Sequence, residues 1–515
     1  MKNIKNIAKA LALVLIATGA SAQNQPKKEL KTLIVFFDGL RPDYITPEAM
    51  PNLYAFKKQG SFGKQHHSVF PTVTRVNSSA YSTGTYPAKT GILGNTVYFP
   101  EIDRTKGLNT GDAADLMRID SATKGHLLTS ISLGEVLKNA GKKMMVFSSG
   151  STGQALLQNH TLSGGAVVNS SMILPASFKE TVFKAVGPFP KHEKPNTAQH
   201  IWVTDALIKL GLAPDGPTVS AIWFSDPDGT AHSDGIGTET AMASIKSVDH
   251  EFGRIIDYLK SQKLDEVYNI LVSTDHGFVT HVGKTNVATY LIEKGLKKDK
   301  TSEDVVVAEG AIYVKDHNPE MIKKIVAALQ EPEFMGAIFT KGAKPGDMKG
   351  WVDGTISFEA IHWNHPTRVA DILVDENWDN RKNKFGYEGT GFSGGVAGHG
   401  GFSPYEVHIA LIASGPSFKK SFEGDLPTAN VDITPTVLHL LGLPVPEVMD
   451  GRVVYELLNE KTPASAPQKA KIENIESSVK TSWGTYKLTL QRTILGKYAY
   501  TDFTTTERVL NAAAK

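Results

Sequence analysis

The residues of this chain best suited to chemistry are carboxylates that follow short apolar runs, together with two histidines close to them in sequence and a third within a glycine-rich segment. They are Asp38, Asp228, His232, Asp275, His276 and His399. Imidazole and carboxylate are the ligands expected of zinc, manganese or iron in a protein without thiolates, and this chain has no cysteine. Three histidines and three aspartates are enough for two metal sites that leave a position open to a substrate.

Other histidines have metal-like spacing without that context. His66 and His67 are adjacent, and His362 and His365 are close in sequence, among 16 histidines in the chain. Neither pair follows a predicted core strand, and most histidines in proteins are surface or hydrogen-bonded residues. We therefore leave these four out of the predicted metal sites.

The segment 70–95 is rich in threonine and serine and offers a nucleophile for such a site. A hydroxyl at a strand-to-helix junction would lie at the positive end of a helix, where anions bind. A hydroxyl is a weak nucleophile until it loses its proton, which metal coordination favours. From the residues alone the nucleophile could be Thr72, Thr74, Ser78 or Ser79, and each could instead cap a helix.

Apolar runs with the length of buried parallel strands must position these groups. They are Thr32–Phe37, Met144–Phe147, Val219–Phe224, Asn269–Ser273 and His408–Ala413. Helix-like stretches at 131–140, 241–259 and 431–441 flank them. Strands that alternate with helices predict an α/β fold with a mostly parallel sheet. Ligands of such sheets bind beyond the carboxyl ends of the strands, where the acidic groups of this chain lie.

The N-terminus is typical of an export signal. Three lysines precede a short apolar stretch and the small residues 20–22, so residues 1–22 are predicted to be cleaved off before Gln23. The apolar stretch is shorter than the ~20 residues that span a bilayer, so stable membrane insertion is not expected. Without those lysines the 55 basic residues become 52 against 53 acidic ones, which does not favour nucleic acid. The mature protein is expected to be periplasmic or secreted.

The chain of 515 residues is long enough for several units. We expect the core in two parts, 23–282 and 391–460. Residues 283–390 interrupt the strand pattern and are predicted to form an inserted α+β cap. Residues 461–515 are expected to be a linker and a C-terminal tail, with a small hairpin near 473–504.

Short motifs follow one another along the chain in a characteristic order. They are Phe-Asp-Gly at 37–39, Pro-Thr-Val-Thr at 71–74, Thr-Gly-Thr-Tyr-Pro at 83–87, Gly-Asn at 94–95, Pro-Asp-Gly-Thr-Ala-His at 227–232, Thr-Asp-His-Gly at 274–277, Gly-His-Gly at 398–400 and Val-Asp-Ile-Thr-Pro-Thr at 431–436. In this order they resemble the nucleotide pyrophosphatase/phosphodiesterase family of the alkaline phosphatase superfamily, over about residues 30–458. The resemblance implies an alkaline-phosphatase-like three-layer sandwich.

The resemblance also implies a role for each site residue. The ligands of two divalent ions, expected to be zinc, would be Asp228, His232 and His399 for the first and Asp38, Asp275, His276 and Thr74 for the second. Thr74 would be the nucleophile and would form a phosphothreonine intermediate. Asn95 would help to hold a phosphoryl oxygen, so that both residues contact the substrate.

The chain departs from the family beside the implied nucleophile. Many members have Lys-Thr-Phe-Pro-Asn there, whereas residues 73–77 of this chain are Val-Thr-Arg-Val-Asn. Loss of the aromatic residue weakens the case for binding a nucleotide base. Arg75 could instead bind a substrate anion, which would favour a monoester or a second phosphate, or could pair at the surface.

The favoured function is hydrolysis of a small-molecule phosphate ester by a phosphodiesterase or nucleotide pyrophosphatase. A phosphomonoesterase of the alkaline phosphatase type or a phosphonoacetate hydrolase stays open, because related enzymes share the metal ligands. A sulfatase is disfavoured because residues 74–78 lack the Cys/Ser-x-Pro-x-Arg motif of that family. The non-enzymatic alternative is an exported protein that binds a metal or ligand without turnover.

Overall fold

The computed structural model describes residues 29–511, so the predicted signal peptide at 1–22 lies outside the described residues. A nine-stranded sheet forms the core. Its strands are β1 (Lys31–Phe37), β2 (Ser61–His67), β3 (Met144–Ser148), β4 (Ala166–Asn169), β5 (Met172–Leu174), β6 (Val219–Phe224), β7 (Tyr268–Ser273), β8 (His408–Ser414) and β9 (Phe422–Ala429). Their spatial order is β9-β2-β8-β7-β1-β6-β3-β4-β5. Only β5 and β8 in this sheet run antiparallel to their neighbours, so the mostly parallel sheet is confirmed.

Helices cover both faces of this sheet, because successive residues of a buried strand point to opposite sides. Leu33 and Val35 of β1 pack into the core on one face, and Ile34 and Phe36 pack into the core on the other. The α-helices are Pro51–Gln59, Thr74–Thr83, Pro87–Thr90, Ala113–Ala122, Leu133–Asn139, Thr152–Gln158, Lys179–Val186, Thr197–Ala206, Asp228–Asp234, Glu239–Ser261, Val287–Glu293, Pro319–Gln330, Pro404–Val407 and Ile433–Leu440. None of the helices within residues 29–511 has the length and apolar content that crossing a bilayer requires.

Strands β7, β1 and β6 are neighbours, and their ends are nearly level. Phe37 pairs with Phe224 across one interface, and Phe36 pairs with Ser273 across the other. Parallel strands in register bring their carboxyl ends to one edge of the sheet. The residues that follow these three strands therefore meet at that edge.

Strands β2, β4, β5 and β9 were not predicted from the sequence. Strand β2 contains Lys64, Gln65, His66 and His67, a polar composition that hides a strand of the core. Its polar groups find partners in β9 and just beyond it: the two ring nitrogens of His66 lie 2.8 Å from Thr428 Oγ1 and 3.1 Å from the Asn430 side-chain oxygen. Hydrogen bonds between side chains thus replace apolar packing in this strand.

Residues between β7 and β8 in the sequence form two further sheets. The five-stranded cap sheet consists of Val305–Ala308, Ala311–Val314, Met335–Thr340, Ile356–Ser357 and Ile372–Glu376, and packs with the helix Pro319–Gln330. A four-stranded sheet consists of Val279–Gly283, Trp378–Lys382, Glu388–Gly394 and Ala397–Gly398. Its last strand leads directly into His399. A short strand pair joins Thr96–Val97 to Leu108–Asn109.

The C-terminal region contains three strands, so the predicted hairpin at 473–504 is wrong in extent. The strands Ala470–Lys480, Gly484–Leu495 and Tyr498–Leu510 form an antiparallel sheet. Tyr486 packs into the cap core, and Tyr500 packs beside Val76 of the helix Thr74–Thr83. The third strand is rich in threonine and alternates only weakly, which is why its sequence resembles an exposed tail.

A buried carboxylate fixes the start of the helix Pro51–Gln59, which has no side-chain cap of its own. Asp249, 2% exposed, accepts the N–H groups of Asn52 at 3.1 Å and Leu53 at 2.8 Å. Asp249→Ala should lower the free energy of unfolding by about 1–2 kcal/mol because it leaves these donors unpaired. Urea denaturation measures this, with Asp257→Ala as the control, because Asp257 is exposed on the helix Glu239–Ser261 that also carries Asp249. Equal losses in both variants would contradict this role.

Candidate active site

Asp38, Asp275 and His276 form a buried group at the edge where β1 and β7 end. His276 Nε2 lies 3.0 Å from Asp275 Oδ2 and 3.6 Å from Asp38 Oδ1. One ligand atom from each of the three residues lies within 4.8 Å of the others. Such a cluster of carboxylate oxygens and an imidazole nitrogen has the donor set of a zinc or manganese site.

Asp228 is the centre of an adjoining group beyond the end of β6. The Nε2 atoms of His232 and His399 each lie 3.3 Å from Asp228 Oδ1. His232 is one turn along the helix Asp228–Asp234, whereas His399 arrives from the distant four-stranded sheet. The His276 and His399 rings stack at 3.4 Å between centroids, so the two groups are in contact.

The carboxylate oxygens that face the imidazoles lack hydrogen-bond donors among the described residues. These buried oxygens are Asp38 Oδ1, Asp228 Oδ1 and Asp275 Oδ2. Burial raises the pKa of Asp38 well above its usual value, and the neighbouring carboxylates of Asp275 and Asp228 raise it further. Buried anionic oxygens without donors are costly unless a cation compensates them. The residues present therefore fit divalent cations.

The imidazoles of both groups are oriented by backbone carbonyls. The Nδ1 atoms of His232, His276 and His399 lie 3.0, 3.0 and 2.8 Å from the carbonyl oxygens of Ala397, Gly277 and Thr72. Since a carbonyl only accepts, each Nδ1 carries the proton and each Nε2 keeps a lone pair for a metal. Burial lowers the pKa of His399 to about 4, which keeps this ring neutral.

Of the four hydroxyls that the sequence left open, that of Thr74 reaches the candidate metal groups. Thr74 Oγ1 lies 3.3 Å from His276 Nε2, and Thr74 is 4% exposed. Ser78 and Ser79 donate their hydroxyls to helix carbonyls, those of Thr74 and Val76. Thr72 donates its hydroxyl to the Gly401 carbonyl at 2.8 Å. These three hydroxyls therefore stabilise the local backbone through hydrogen bonds to carbonyl groups.

Thr74 is the first residue of its helix, and the preceding Val73 provides no side-chain cap. The first N–H groups of a helix point outward and favour an anion. One of them, the N–H of Arg75, donates to the side-chain oxygen of Asn95 at 3.1 Å. Because the side-chain oxygen of Asn95 accepts this bond, the amide hydrogens of the same side chain are the donors that it could offer to a phosphoryl oxygen. The N–H of Asn95 is itself held by Glu309 at 3.0 Å.

Arg75 points into the space beside the nucleophile. Its buried Nε has no hydrogen-bond partner among the described residues, and it lines a pocket of about 310 Å³ with Asp38, Thr74 and Asp228. A larger cavity of about 520 Å³ between core and cap is lined by Asn95, His232 and His399. Residues of the candidate metal groups thus line both cavities.

Sequence reasoning missed the residue that orients Asp38. The indole N–H of Trp223 donates to Asp38 Oδ2 at 2.9 Å, which turns Oδ1 toward His276. Trp223 lies in β6 and stacks on Phe36 at 4.6 Å between centroids. In the sequence it is one apolar residue of an apolar strand. A buried tryptophan that must satisfy its N–H was the available signal.

His362 and His365, left out of the predicted metal sites, lie elsewhere. His362 Nε2 lies 3.0 Å from the Ala499 carbonyl, and its ring stacks on Tyr86. His365 Nε2 lies 3.0 Å from Thr129 Oγ1. Both rings join the cap and the C-terminal sheet to the core.

A family model described as type I phosphodiesterase/nucleotide pyrophosphatase matches residues 32–384. The human ectonucleotide pyrophosphatase/phosphodiesterase family member 5 is 23% identical over 477 residues, which are 91% of this chain and 86% of that protein. The mouse bis(5'-adenosyl)-triphosphatase enpp4 is 24% identical over 438 residues, which are 83% of this chain and 81% of that protein.

Solved structures show the same fold. Murine ectonucleotide pyrophosphatase/phosphodiesterase 5 superposes with a TM-score of 0.57 at 22% identity, over 83% of this chain and 100% of that chain. An inactive variant of the murine protein in complex with AMP superposes with a TM-score of 0.57 at 22% identity, over 84% and 100% of the two chains. The prediction of an alkaline-phosphatase-like α/β fold is confirmed.

Trp223→Phe should weaken the binding of divalent cations by about tenfold or more, because it removes the hydrogen bond that orients Asp38. Calorimetric titration of zinc into chelator-treated protein measures this. Trp202→Phe is the matched control, since its N–H donates to the Gly187 carbonyl. If Trp223→Phe bound zinc as tightly as the wild type, Asp38 would need no such support.

Proposed function

The chain belongs to the type I phosphodiesterase/nucleotide pyrophosphatase family and is a phosphoric ester hydrolase, and from that premise we propose that it is an exported phosphodiesterase with Thr74 as its nucleophile. The observation that carries the proposal is the Thr74 hydroxyl, 3.3 Å from His276 Nε2 at the start of a helix. A phosphoryl group above it would meet helix N–H groups and Asn95. The AMP held by the inactive murine relative supports a phosphate ester of small size as the substrate.

We propose two divalent cations, with zinc as the expected metal. Asp228, His232 and His399 would hold the first, and Asp38, Asp275, His276 and the Thr74 hydroxyl would hold the second. The carboxylate oxygens that lack donors among the described residues and the imidazole lone pairs support two adjoining cation sites. Ligand atoms lie within 4.8 Å of one another in two overlapping groups, Asp38 with Asp275 and His276, and Asp228 with His276 and His399. When bound, the two ions would favour loss of the Thr74 proton and neutralise the charge on the departing oxygen.

Residues of the chain would then carry the reaction in two steps. Thr74 Oγ1 attacks phosphorus as the bond to the leaving oxygen breaks in line, and a phosphothreonine forms. The leaving alcohol takes a proton from solvent. Water attacks the phosphothreonine from the vacated side, releases the phosphate monoester and returns the Thr74 hydroxyl. Asn95 and the helix N–H groups hold the equatorial oxygens, where each donor contributes about 2.7–4 kcal/mol.

A phosphomonoesterase is the second candidate, and Arg75 is the observation that favours it. Arg75 occupies the position where many relatives have an aromatic residue, and its Nε, beside Thr74, has no hydrogen-bond partner in the part of the chain that the structure describes. A guanidinium there would pair with the extra charge of a monoester or with a second phosphate. A phosphonoacetate hydrolase would use the same residues on a phosphonate.

Export rests on the N-terminal residues 1–22, which lie outside the described residues. The lysines, the apolar stretch and the Ala20-Ser21-Ala22 segment support a cleaved signal and a periplasmic or secreted enzyme.

Thr74→Ala should lower hydrolysis of a phosphodiester by roughly 10³-fold or more while divalent metal stays bound, because only the nucleophile is removed. Turnover of bis-p-nitrophenyl phosphate and metal content by mass spectrometry measure the two effects. Ser79→Ala, on the same helix, is the control and should stay active. Near-normal turnover in Thr74→Ala would move the nucleophile elsewhere.

Arg75→Ala should lower the rate on a p-nitrophenyl monoester more than the rate on the diester, by about tenfold in the ratio, if Arg75 binds the second anionic oxygen. The ratio of kcat/KM for the two esters measures this. Arg75→Lys keeps the charge and should restore part of the ratio. An unchanged ratio in Arg75→Ala would remove Arg75 from substrate binding.

A further inference from the structure

The pocket of about 310 Å³ beside Thr74, named the polar pocket below, has an unusual wall. Every described residue that lines it is a glycine or has a polar or charged side chain, and none is phenylalanine, tyrosine or tryptophan. Pockets for small ligands are mostly lined by apolar and aromatic groups, and their volumes begin at about 300 Å³. Since Thr74 is part of the wall, a group in this pocket could be a substituent of the reacting phosphate.

The charges of the polar pocket are balanced. Besides the two aspartates of the candidate metal groups, the wall contains the cations Arg75 and Lys194 and the anions Glu193 and Asp226. Lys194 and Glu193 are neighbours in sequence, and both are exposed. A cavity attracts ionic ligands when charges of one sign line it, which is not the case here. The wall therefore favours a neutral substituent.

Asn196 and Gln199 are the buried amides of this wall, 3% and 5% exposed. Asn196 Nδ2 donates to Gln199 Oε1 at 2.8 Å and to Ser225 Oγ at 3.0 Å. These two bonds use both amide hydrogens of Asn196. The side-chain oxygen of Asn196 is buried and has no hydrogen-bond donor among the described residues. A buried acceptor without a donor is unfavourable, so a ligand that donates to it would gain affinity.

Free donors lie in the same wall. Because Gln199 Oε1 accepts from Asn196, the amide hydrogens of Gln199 are the donors that it could offer to a ligand. Arg75 adds its buried Nε, which has no acceptor within residues 29–511. At the exposed rim, Ser151 Oγ accepts the Gln154 N–H at 3.3 Å, which leaves the Ser151 proton for another acceptor. The pocket thus offers donors and an acceptor together.

A substituent with several hydroxyls matches this mixture, because each hydroxyl both donates and accepts. An alkyl substituent would displace water and leave the Asn196 oxygen and the Arg75 Nε without partners. A nucleobase also brings donors and acceptors, but it gains much of its affinity by stacking on aromatic side chains. The described wall has no phenylalanine, tyrosine or tryptophan for such stacking.

We propose that the polar pocket is a subsite for a neutral, hydroxyl-rich substituent of the substrate. The favoured substrates are then phosphate esters of polyhydroxylated alcohols. This inference rests on the proposed function and narrows its substrate class. Asn196 and Gln199 determine the specificity, and neither belongs to the candidate metal groups.

The test measures how three phosphate monoesters inhibit the hydrolysis of bis-p-nitrophenyl phosphate by the metal-loaded enzyme. They are glucose 6-phosphate, cyclohexylmethyl phosphate and thymidine 5'-phosphate. The phosphate is common to all three, so the Ki ratios report the substituent alone. The first two have a six-membered ring on one further carbon and differ chiefly in their hydroxyls. For the wild type, the Ki of glucose 6-phosphate should be the lowest, by about tenfold or more against the cyclohexylmethyl ester.

Two variants locate this preference in the polar pocket. Gln199→Met removes the amide donors at similar side-chain length, and Asn196→Ala removes the buried acceptor. Each should reduce the Ki ratio of the cyclohexylmethyl ester to glucose 6-phosphate by about threefold or more. Gln330→Met is the matched control, because Gln330 is also buried but donates to the Asp353 carbonyl in the cap, and its ratio should stay that of the wild type. Thermal unfolding checks that each variant is folded.

Equal inhibition by the glucose and cyclohexylmethyl esters, or stronger inhibition by thymidine 5'-phosphate, would overturn the subsite. A wild-type ratio in folded Gln199→Met and Asn196→Ala would also overturn it. In each of these cases turnover of the diester by the wild type still upholds the proposed function. No turnover of the diester by the metal-loaded wild type would overturn the proposed function and this subsite with it.

Discussion

Repulsion among the buried carboxylate oxygens of three aspartates determines what this site can bind. Asp38, Asp228 and Asp275 each present an oxygen, without a hydrogen-bond donor among residues 29–511, to a shared space among imidazole nitrogens. Such a group is unfavourable in a protein interior unless cations occupy it. The folded chain therefore favours the binding of cations at this edge of the sheet. Bound cations would in turn activate a hydroxyl and attract a phosphate.

Rigid elements of the fold hold the residues of this site in position. Three adjacent strands deliver the aspartates, because parallel strands in register end at one edge. Thr72 connects the nucleophile loop to the His399 loop: its carbonyl accepts from His399 Nδ1, and its hydroxyl bonds both to the Gly400 N–H and to the Gly401 carbonyl. The Thr74 hydroxyl and His399 are thus placed by one short segment, although they are more than 300 residues apart in sequence.

The sequence predicted most of the central sheet and the residues at its strand ends, because apolar runs followed by aspartate carry a local signal. It named His399 as a candidate ligand but did not show how this residue reaches the site, because a separate four-stranded sheet delivers it through pairings distant in sequence. Trp223 escaped notice because its hydrogen bond to Asp38 exists only in the folded state. Strand β2 was not predicted because it contains polar residues, whose hydrogen-bond partners lie in and beside β9. The 520 Å³ cavity between core and cap is lined in part by cap segments that show no motif. Contacts between distant segments are what a single sequence hides.

The most direct test is an anomalous difference map from crystals of the zinc-loaded protein, recorded at the zinc edge. We expect two peaks about 4 Å apart, one beside Asp228 and His399 and one beside Asp38, Asp275 and the Thr74 hydroxyl. A single peak, or none, among these side chains in fully loaded protein would contradict the two-cation site.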